Sequence, residues 1–376
     1  MTNQTLCASL SIAAVLLTPA AVPRADSVKG TVDVVTVHGA SLEGNLAGDS
    51  PDRRVSVYLP PSYAAEKSRR YPVIYLLHGF TDTDERWFGR VPHFINVPAI
   101  ADSVIGAGGR DVIIVMPNAY TKFAGSMYST SVVTGDWERF VAAELVAYTD
   151  GHYRTTATAA SRGLAGHSMG GYGALRIGMK HPDVFSALYA LSPCCMIPNM
   201  NPQTSARGRA AAPSPADGRQ GRASGRGTDN GLTAEQLRSF DDLDGASFGV
   251  KAQLASAAAW SPNPKNPPFF VDLPTRNGEP NPLVIARWAA NAPLALADQY
   301  IGNLKRMTAI AIDAGDMDEP IATTVRTMHG ILDVYGVAHT FEIYEGNHVN
   351  HISDRMSHQV LPFFAAHLAP PPGSSR

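Results

Sequence analysis

The chain has 376 residues, of which 31 are Lys or Arg and 33 are Asp or Glu, so its formal net charge is −2. This balance argues against a nucleic-acid-binding protein, which would carry a strongly basic domain or stripe. Hydrophobic residues make up 44 % of the chain, enough for a large core, and three cysteines are too few for a disulfide framework.

The first 25 residues have the pattern of a secretory signal peptide. No charged side chain occurs before Arg24, and an apolar run extends from Leu10 to Val22. This run is too short to span a bilayer but suits the hydrophobic region of a signal peptide. We therefore expect a secreted or periplasmic protein without stable membrane insertion after cleavage, the alternatives being an uncleaved anchor or an N-terminal extension.

Short apolar runs then alternate with helical patterns, which predicts an α/β protein with a mostly parallel sheet of about eight strands and helices on both faces. Periodic apolar residues predict helices over 137–148 and 321–335. The predicted strands are Val32–Val37, Val55–Leu59, Pro72–Leu77, Val112–Met116, Gly163–Ala165, Ala187–Leu191, Thr308–Ile312 and Thr340–Tyr344.

Residues 196–290 interrupt this alternation and are predicted to be a cap. The cap is inserted into one catalytic domain, residues 26–369. A disordered tail, residues 370–376, is predicted to follow this domain. Residues 205–231 are rich in Arg and Gly and predict a flexible surface segment. Residues 260–274 contain five prolines and predict a stiff, irregular loop, which together with residues 283–291 would cover one end of the sheet.

The strongest motif is Gly166-His167-Ser168-Met169-Gly170, which follows a predicted strand and precedes a predicted helix. This is the Gly-x-Ser-x-Gly nucleophile elbow in the strand–turn–helix setting that it requires. Ser168 is therefore the candidate nucleophile, with glycines where side chains would collide with neighbouring backbone.

A serine hydroxyl needs a base and the base needs an orienting carboxylate, in the chain order Ser, acid, His. Two loops at the carboxyl ends of predicted strands supply them, the acidic loop 313–319 and the loop 345–351. We predict Asp318 as the acid, with Asp316 as the alternative, and His348 as the base, with His351 as its competitor. One of Asp318 and Glu319 is expected to cap the helix that follows Pro320.

The oxyanion hole needs two backbone donors. One is the amide of Met169, directly after the nucleophile, and the other is predicted to be the amide of Phe80, where a strand runs into His78-Gly79-Phe80. His78 and His167 are interpreted as hydrogen-bonding and packing residues.

These motifs together resemble the esterase D-like family of α/β-hydrolases, which includes S-formylglutathione hydrolases, feruloyl and related carbohydrate esterases, and mycolyltransferases. The resemblance rests on residues 71–79, the GHSMGGYGA elbow, Gly315-x-x-Asp318 and Gly346-x-His348, and covers about residues 41–368 except for the Arg-rich segment. It implies an α/β-hydrolase fold with Ser168, Asp318 and His348 as the triad and with backbone donors at Phe80 and Met169.

The sequence thus predicts a serine carboxylesterase that acts on a small-molecule or carbohydrate ester through an acyl-enzyme. An acyltransferase and a catalytically silent binding protein on the same scaffold are the alternatives. We expect no cofactor, no nucleic-acid partner and no metal, since His348 and His351 lack a further cluster of His and Cys. The aromatic residues that could line the substrate pocket are Trp87, Phe123, Trp260, Phe269, Phe270 and Trp288.

Overall fold

Eight strands form one sheet at the centre of the protein, in a computed structural model that describes residues 1, 29–198 and 229–370. All eight predicted strands are present, with ends that differ from the predicted ends by up to three residues. They are β1 (Thr31–His38), β2 (Asp52–Leu59), β3 (Val73–Leu77), β4 (Ile113–Pro117), β5 (Arg162–His167), β6 (Ala187–Leu191), β7 (Ala309–Gly315) and β8 (Thr340–Tyr344).

The strand order is β1-β2-β4-β3-β5-β6-β7-β8. Strand β2 runs antiparallel to both of its neighbours, β1 and β4, whereas every other pair is parallel. The prediction of a mostly parallel α/β sheet is therefore confirmed. In such a sheet the loops that follow parallel strands gather at one edge, where ligand sites lie.

Each central strand is buried on both faces, as a strand between two helix layers must be. In β3, Val73, Tyr75 and Leu77 belong to one hydrophobic cluster, whereas Ile74 and Leu76 belong to the cluster on the opposite face. This alternation follows from the two-residue period of a strand, and it explains why the sequence is apolar without interruption.

Helices cover both faces of the sheet. They are α1 (Ser62–Ala65), α2 (Asp84–Trp87), α3 (Val97–Gly106), α4 (Trp137–Arg139), α5 (Leu145–His152), α6 (Met169–Lys180), α7 (Phe240–Asp244), α8 (Phe248–Trp260), α9 (Pro282–Ala289), α10 (Pro293–Leu304), α11 (Ile321–Val334), α12 (Ile352–Arg355) and α13 (Leu361–His367). Short 3₁₀ turns occur at Ala40–Leu42 and Ala159–Ser161, and π-helical turns at Phe140–Glu144 and Met356–Val360.

The two helices predicted from periodicity are present. The helical run 137–152 contains the π-helical turn Phe140–Glu144 between α4 and α5. Helix α11 begins after Pro320 and is followed by Gly336, whose φ of +64° reverses the chain direction. The left-handed conformation at this position favours glycine, as at many helix C-termini.

The described part of the predicted cap, residues 196–198 and 229–290, contains helices α7, α8 and α9 joined by irregular loops, and it joins the main core. Its buried residues Leu254, Trp260 and Trp288 belong to the same hydrophobic cluster as β3. Most of the predicted signal peptide, of the predicted tail and of the Arg-rich segment lies outside the described residues. Among the helices of the described residues, none combines the length and the apolar character that a membrane crossing requires.

Candidate active site

Ser168 occupies the sharp turn between β5 and α6. Its backbone has φ +56° and ψ −114°, a conformation that side-chain-bearing residues rarely adopt. The Ser168 amide donates to the Leu191 carbonyl at 3.0 Å, and its carbonyl accepts from the amides of Tyr172 and Cys194. These bonds hold the turn in place and leave the side chain at the carboxyl edge of the sheet, with 7 % of the residue exposed.

Two glycines let the backbone close around this turn. A Cβ atom at Gly166 would lie 2.2 Å from the carbonyl oxygen of Gly170, and one at Gly170 would lie 1.9 Å from the carbonyl oxygen of Leu77. The second distance shows that the start of α6 lies directly against the end of β3. The same approach brings the loop after β3 beside the nucleophile, since a Cβ at Gly79 would lie 3.5 Å from Ser168 Cβ.

We expect Gly170→Ala to destabilise the protein by about 3 kcal/mol or more, because the added methyl group meets backbone that cannot rotate away. The matched control is Gly302→Ala in α10, where the added Cβ meets no atom within 4 Å apart from the backbone of its own helix and the adjacent residues. The control should be neutral or stabilise the protein by about 0.5–1 kcal/mol. Urea denaturation measures both changes, and a Gly170→Ala protein as stable as wild type would contradict the packing argument.

Asp318, His348 and Ser168 form a continuous hydrogen-bonded chain. The distance from Asp318 Oδ2 to His348 Nδ1 is 2.7 Å, and that from His348 Nε2 to Ser168 Oγ is 2.8 Å. Asp318 is buried and His348 is half-buried. Three side chains separated by up to 180 residues in sequence thus meet at the edge where the loops after β5, β7 and β8 converge. This is the geometry in which a carboxylate orients an imidazole toward a hydroxyl.

The other acids of the loop after β7 have different partners. Asp316 Oδ1 accepts from the Gly346 amide at 3.0 Å, and the Asp316 amide donates to the Tyr344 carbonyl. Asp316 therefore binds the backbone of the loop that carries His348. Glu319 accepts from the Thr323 amide at the start of α11, which is the capping role predicted for Asp318 or Glu319.

His351, the alternative base, lies away from the nucleophile in this structure. Its ring contacts Tyr344 edge-on, with a centroid separation of 6.1 Å, and its Nδ1 is 3.9 Å from Asp354. Of the two histidines in this loop, the structure places His348 against Ser168.

His167 packs behind His348 and contacts its backbone. The His167 Nε2 lies 2.8 Å from the carbonyl oxygen of His348, and the two rings are 4.7 Å apart. Burial lowers the pKa of His167 to about 3, so the ring is neutral near pH 7 and donates one N–H to this carbonyl. A neutral His167 adds no positive charge beside His348, whereas an imidazolium at this position would repel one.

His78 is fully buried, and its backbone and side chain stabilise the loop after β3. Its Nε2 accepts from the Ala119 amide at 2.9 Å, while its carbonyl accepts from the Tyr128 hydroxyl at 3.2 Å. Burial lowers the pKa of His78, which keeps the ring neutral. These contacts agree with the hydrogen-bonding role predicted for this residue.

The amides of Phe80 and Met169 remain the predicted oxyanion donors. Met169 is the first residue of α6, so its N–H has no acceptor within the helix. Neither amide donates to another described residue. Gly125 packs between the two side chains, because a Cβ there would lie 2.6 Å from Phe80 Cδ2 and 2.7 Å from Met169 Sδ. Sequence reasoning missed Gly125, since it lies in a loop without periodicity.

The predicted pocket aromatics are mostly in the core. Trp87, Trp260, Phe269 and Trp288 are buried, and Phe270 is half-buried. The indole N–H of each of these tryptophans donates to a side chain: to Asp82 from Trp87, to Ser129 from Trp260 and to Ser261 from Trp288. Their role in substrate binding stays a prediction.

Two aromatic residues near the site were not predicted. Phe248, at the start of α8, is partly exposed and meets Phe80 edge-on with a centroid separation of 5.4 Å. Phe94, in the loop before α3, is also partly exposed, and its ring lies 6.3 Å from that of His167. Each of these contacts joins residues that are far apart along the chain, so local sequence patterns do not reveal it.

Comparisons with known proteins agree with this architecture. A profile of the family described as "Putative esterase" matches residues 50–351. The esterase Rv1288 of Mycobacterium tuberculosis is 35 % identical over 135 residues, which cover 35 % of this chain and 27 % of that protein. The chain therefore matches only about a quarter of the length of this relative.

Two solved structures share the fold. A ferulic acid esterase aligns with a TM-score of 0.59 at 20 % identity, over 91 % of this chain and 99 % of its own. An S-formylglutathione hydrolase from Staphylococcus aureus aligns with a TM-score of 0.53 at 14 % identity, over 89 % of this chain and 99 % of its own. With the parallel sheet, the elbow and the family match over residues 50–351, the chain has an α/β-hydrolase fold and belongs to the "Putative esterase" family.

Proposed function

We propose that this protein is a serine carboxylic ester hydrolase that forms an acyl-enzyme on Ser168. The observation that carries the proposal is the hydrogen-bonded chain Asp318–His348–Ser168, built on a strained elbow at the carboxyl edge of the sheet. Family membership and the esterase names of its relatives support ester bonds as the substrate class.

In the first half-reaction His348 Nε2 takes the proton of Ser168 Oγ as the oxygen attacks the ester carbonyl. Asp318 holds the Nδ1–H side of the ring and stabilises the imidazolium that forms. The amides of Phe80 and Met169 would donate to the oxyanion, and the start of α6 adds its favourable dipole. His348 then gives its proton to the leaving alcohol, and water attacks the acyl-enzyme in the second half-reaction by the same sequence of proton transfers.

The acyl group of the substrate would lie beside the ring pair of Phe80 and Phe248. This pair is close to the predicted oxyanion amide, and a flat aromatic or short acyl group suits contact with aromatic edges. Ferulic acid esterases among the structural neighbours make an aromatic acid ester a reasonable probe. The chain would act outside the cytoplasm, because the apolar run 10–22 suits a cleaved signal peptide.

A hydrolysis panel with the full chain tests the proposal. We expect turnover of 4-nitrophenyl acetate and methyl ferulate, and no release of nitrophenol from 4-nitrophenyl phosphate, which shares the leaving group but lacks an acyl carbon. Adding glycerol as acceptor and identifying products by mass spectrometry separates hydrolysis from acyl transfer. A folded protein that cleaves no ester in the panel would overturn the esterase proposal and favour a binding role.

A further inference from the structure

A second group of chemically reactive side chains lies outside the candidate active site. His329 and Asp333 are one turn apart on α11, and His339 lies one residue before β8. The Gly336 turn reverses the chain after α11, which brings His339 back against the helix.

The ligand atoms of these three residues converge. One ring nitrogen from each histidine and one Asp333 oxygen all lie within 4.8 Å of one another. His339 Nε2 is 2.8 Å from His329 Nδ1 and 4.0 Å from Asp333 Oδ1, and the other ring nitrogen of His329, Nε2, is 3.4 Å from Asp333 Oδ2. Of the described residues, this is the one group of three or more His, Cys, Asp and Glu side chains that meets this spacing.

The two imidazoles are held in place by their surroundings. His339 has a side chain only 3 % exposed, and its Nδ1 lies 2.8 Å from the Val337 carbonyl, to which it donates. This bond leaves Nε2 as the acceptor nitrogen of His339, and in the structure it accepts a hydrogen bond from His329 Nδ1, which a bound ion would replace. The His329 ring in turn stacks on Phe341, with centroids 4.0 Å apart and planes 2° from parallel. A histidine that binds a metal commonly donates its other ring N–H to a backbone carbonyl, which fixes its tautomer.

We propose that His329, Asp333 and His339 bind a divalent transition-metal ion of the zinc class. Two imidazoles and one carboxylate are ligands that zinc favours, with water completing a tetrahedral site. Bond lengths of about 2.0–2.1 Å place the ligand atoms of such a site about 3.3 Å apart. Asp333, whose side chain is 61 % exposed, is free to move the short distance that this spacing requires.

The ion would act as a structural clamp. It would join the second half of α11 to the start of β8, the strand at the edge of the sheet. His348 follows the opposite, carboxyl end of β8, so the metal would lie at the other end of the strand from the candidate catalytic residues. Binding should therefore raise thermal stability and leave ester hydrolysis unchanged, which separates this proposal from the proposed function.

Zinc titration of the chelator-treated full chain tests the site directly. We expect one Zn²⁺ ion per chain in isothermal calorimetry, a rise in Tm on adding Zn²⁺, and no comparable effect of Mg²⁺. Outer-shell partners of a metal contribute about 10–100-fold in affinity, so Asp333→Asn and His329→Ala, which alter direct ligands, should each weaken zinc affinity by at least about 10-fold. Asp333 is exposed, so Asp333→Asn should keep the wild-type Tm in chelator, whereas His329→Ala also removes the ring stacked on Phe341 and is therefore compared with and without Zn²⁺ as its own reference.

The matched control is His358→Ala. His358 is an exposed histidine four residues from an aspartate, Asp354, at 3.5 Å, but among the described residues no third side chain completes a group with the spacing given above. This variant should bind zinc as wild type does. Wild-type protein without a zinc-dependent Tm, or His329→Ala and Asp333→Asn with unchanged affinity, would overturn the metal site, whatever the esterase assays show.

Discussion

Replacing Ser168 with alanine should reduce kcat for ester hydrolysis by about 10⁶-fold, the loss seen when a serine nucleophile of a comparable triad is removed. The substitution deletes the atom that would form the acyl-enzyme, and the hydroxyl lies 2.8 Å from the His348 Nε2 that would activate it. A fluorophosphonate probe should label wild type once per chain, and intact-mass spectrometry should show no adduct on Ser168→Ala.

Ser357 offers a matched control within the same chain. Its Oγ lies 3.2 Å from His358 Nδ1, so it also contacts a histidine, but it is half-buried within a helical turn and lies on no elbow. Ser357→Ala should retain wild-type turnover and labelling. Persistent labelling or turnover in Ser168→Ala would show that another nucleophile acts, while an unlabelled and inactive wild type would support the silent binding protein.

The sheet could be predicted from sequence because its central strands are buried on both faces. An uninterrupted apolar run such as Val112–Met116, placed between helical patterns, is typical of a strand that lies between two helix layers. Errors are confined to strand ends: β2 begins at Asp52 instead of Val55, and β7 extends to Gly315 instead of Ile312. The additional residues at these ends are polar or small, so the sequence does not mark them as strand. They belong to the strands because their backbone pairs with a neighbouring strand.

The elbow was predictable because its chemistry is local. Gly166, Ser168 and Gly170 lie within five residues, and the steric need for glycine acts between backbone atoms of that same turn and the adjacent strand. The acid was harder, because Asp316 and Asp318 follow the same strand two residues apart. Which one reaches His348 depends on how the loops after β7 and β8 pack, and spacing along one loop does not contain that information.

Two features that the sequence did not indicate, the histidine–aspartate group and the Phe80–Phe248 contact, depend on residues that are brought together only by the fold. The i, i+4 spacing of His329 and Asp333 is visible in the sequence, but the return of His339 depends on the turn at Gly336. The prediction of no metal considered only His348 and His351. Similarly, the tryptophans were chosen for residue type, whereas Phe248 meets Phe80 because of where α8 lies, bonded to the loop at 129–131.

Asp318→Asn should reduce kcat by about 10⁴-fold, whereas Asp316→Asn should change it less than about 10-fold. Asp318 contacts His348 Nδ1 directly at 2.7 Å, and an amide there neither carries the charge that stabilises an imidazolium nor enforces the tautomer that leaves Nε2 as the base. An asparagine at 316 keeps an oxygen that can accept from the Gly346 amide, so the loop should hold its shape.

Steady-state hydrolysis of 4-nitrophenyl acetate and thermal unfolding should be measured on both variants. Because neither substitution changes side-chain size much, similar Tm values would assign the difference in kcat to the charge on Asp318. The reverse order, with Asp316→Asn inactive and Asp318→Asn near wild type, would make Asp316 the acid and require the two loops to rearrange on substrate binding. Equal and small effects would instead mean that His348 is oriented mainly through its backbone, by the 2.8 Å contact from His167.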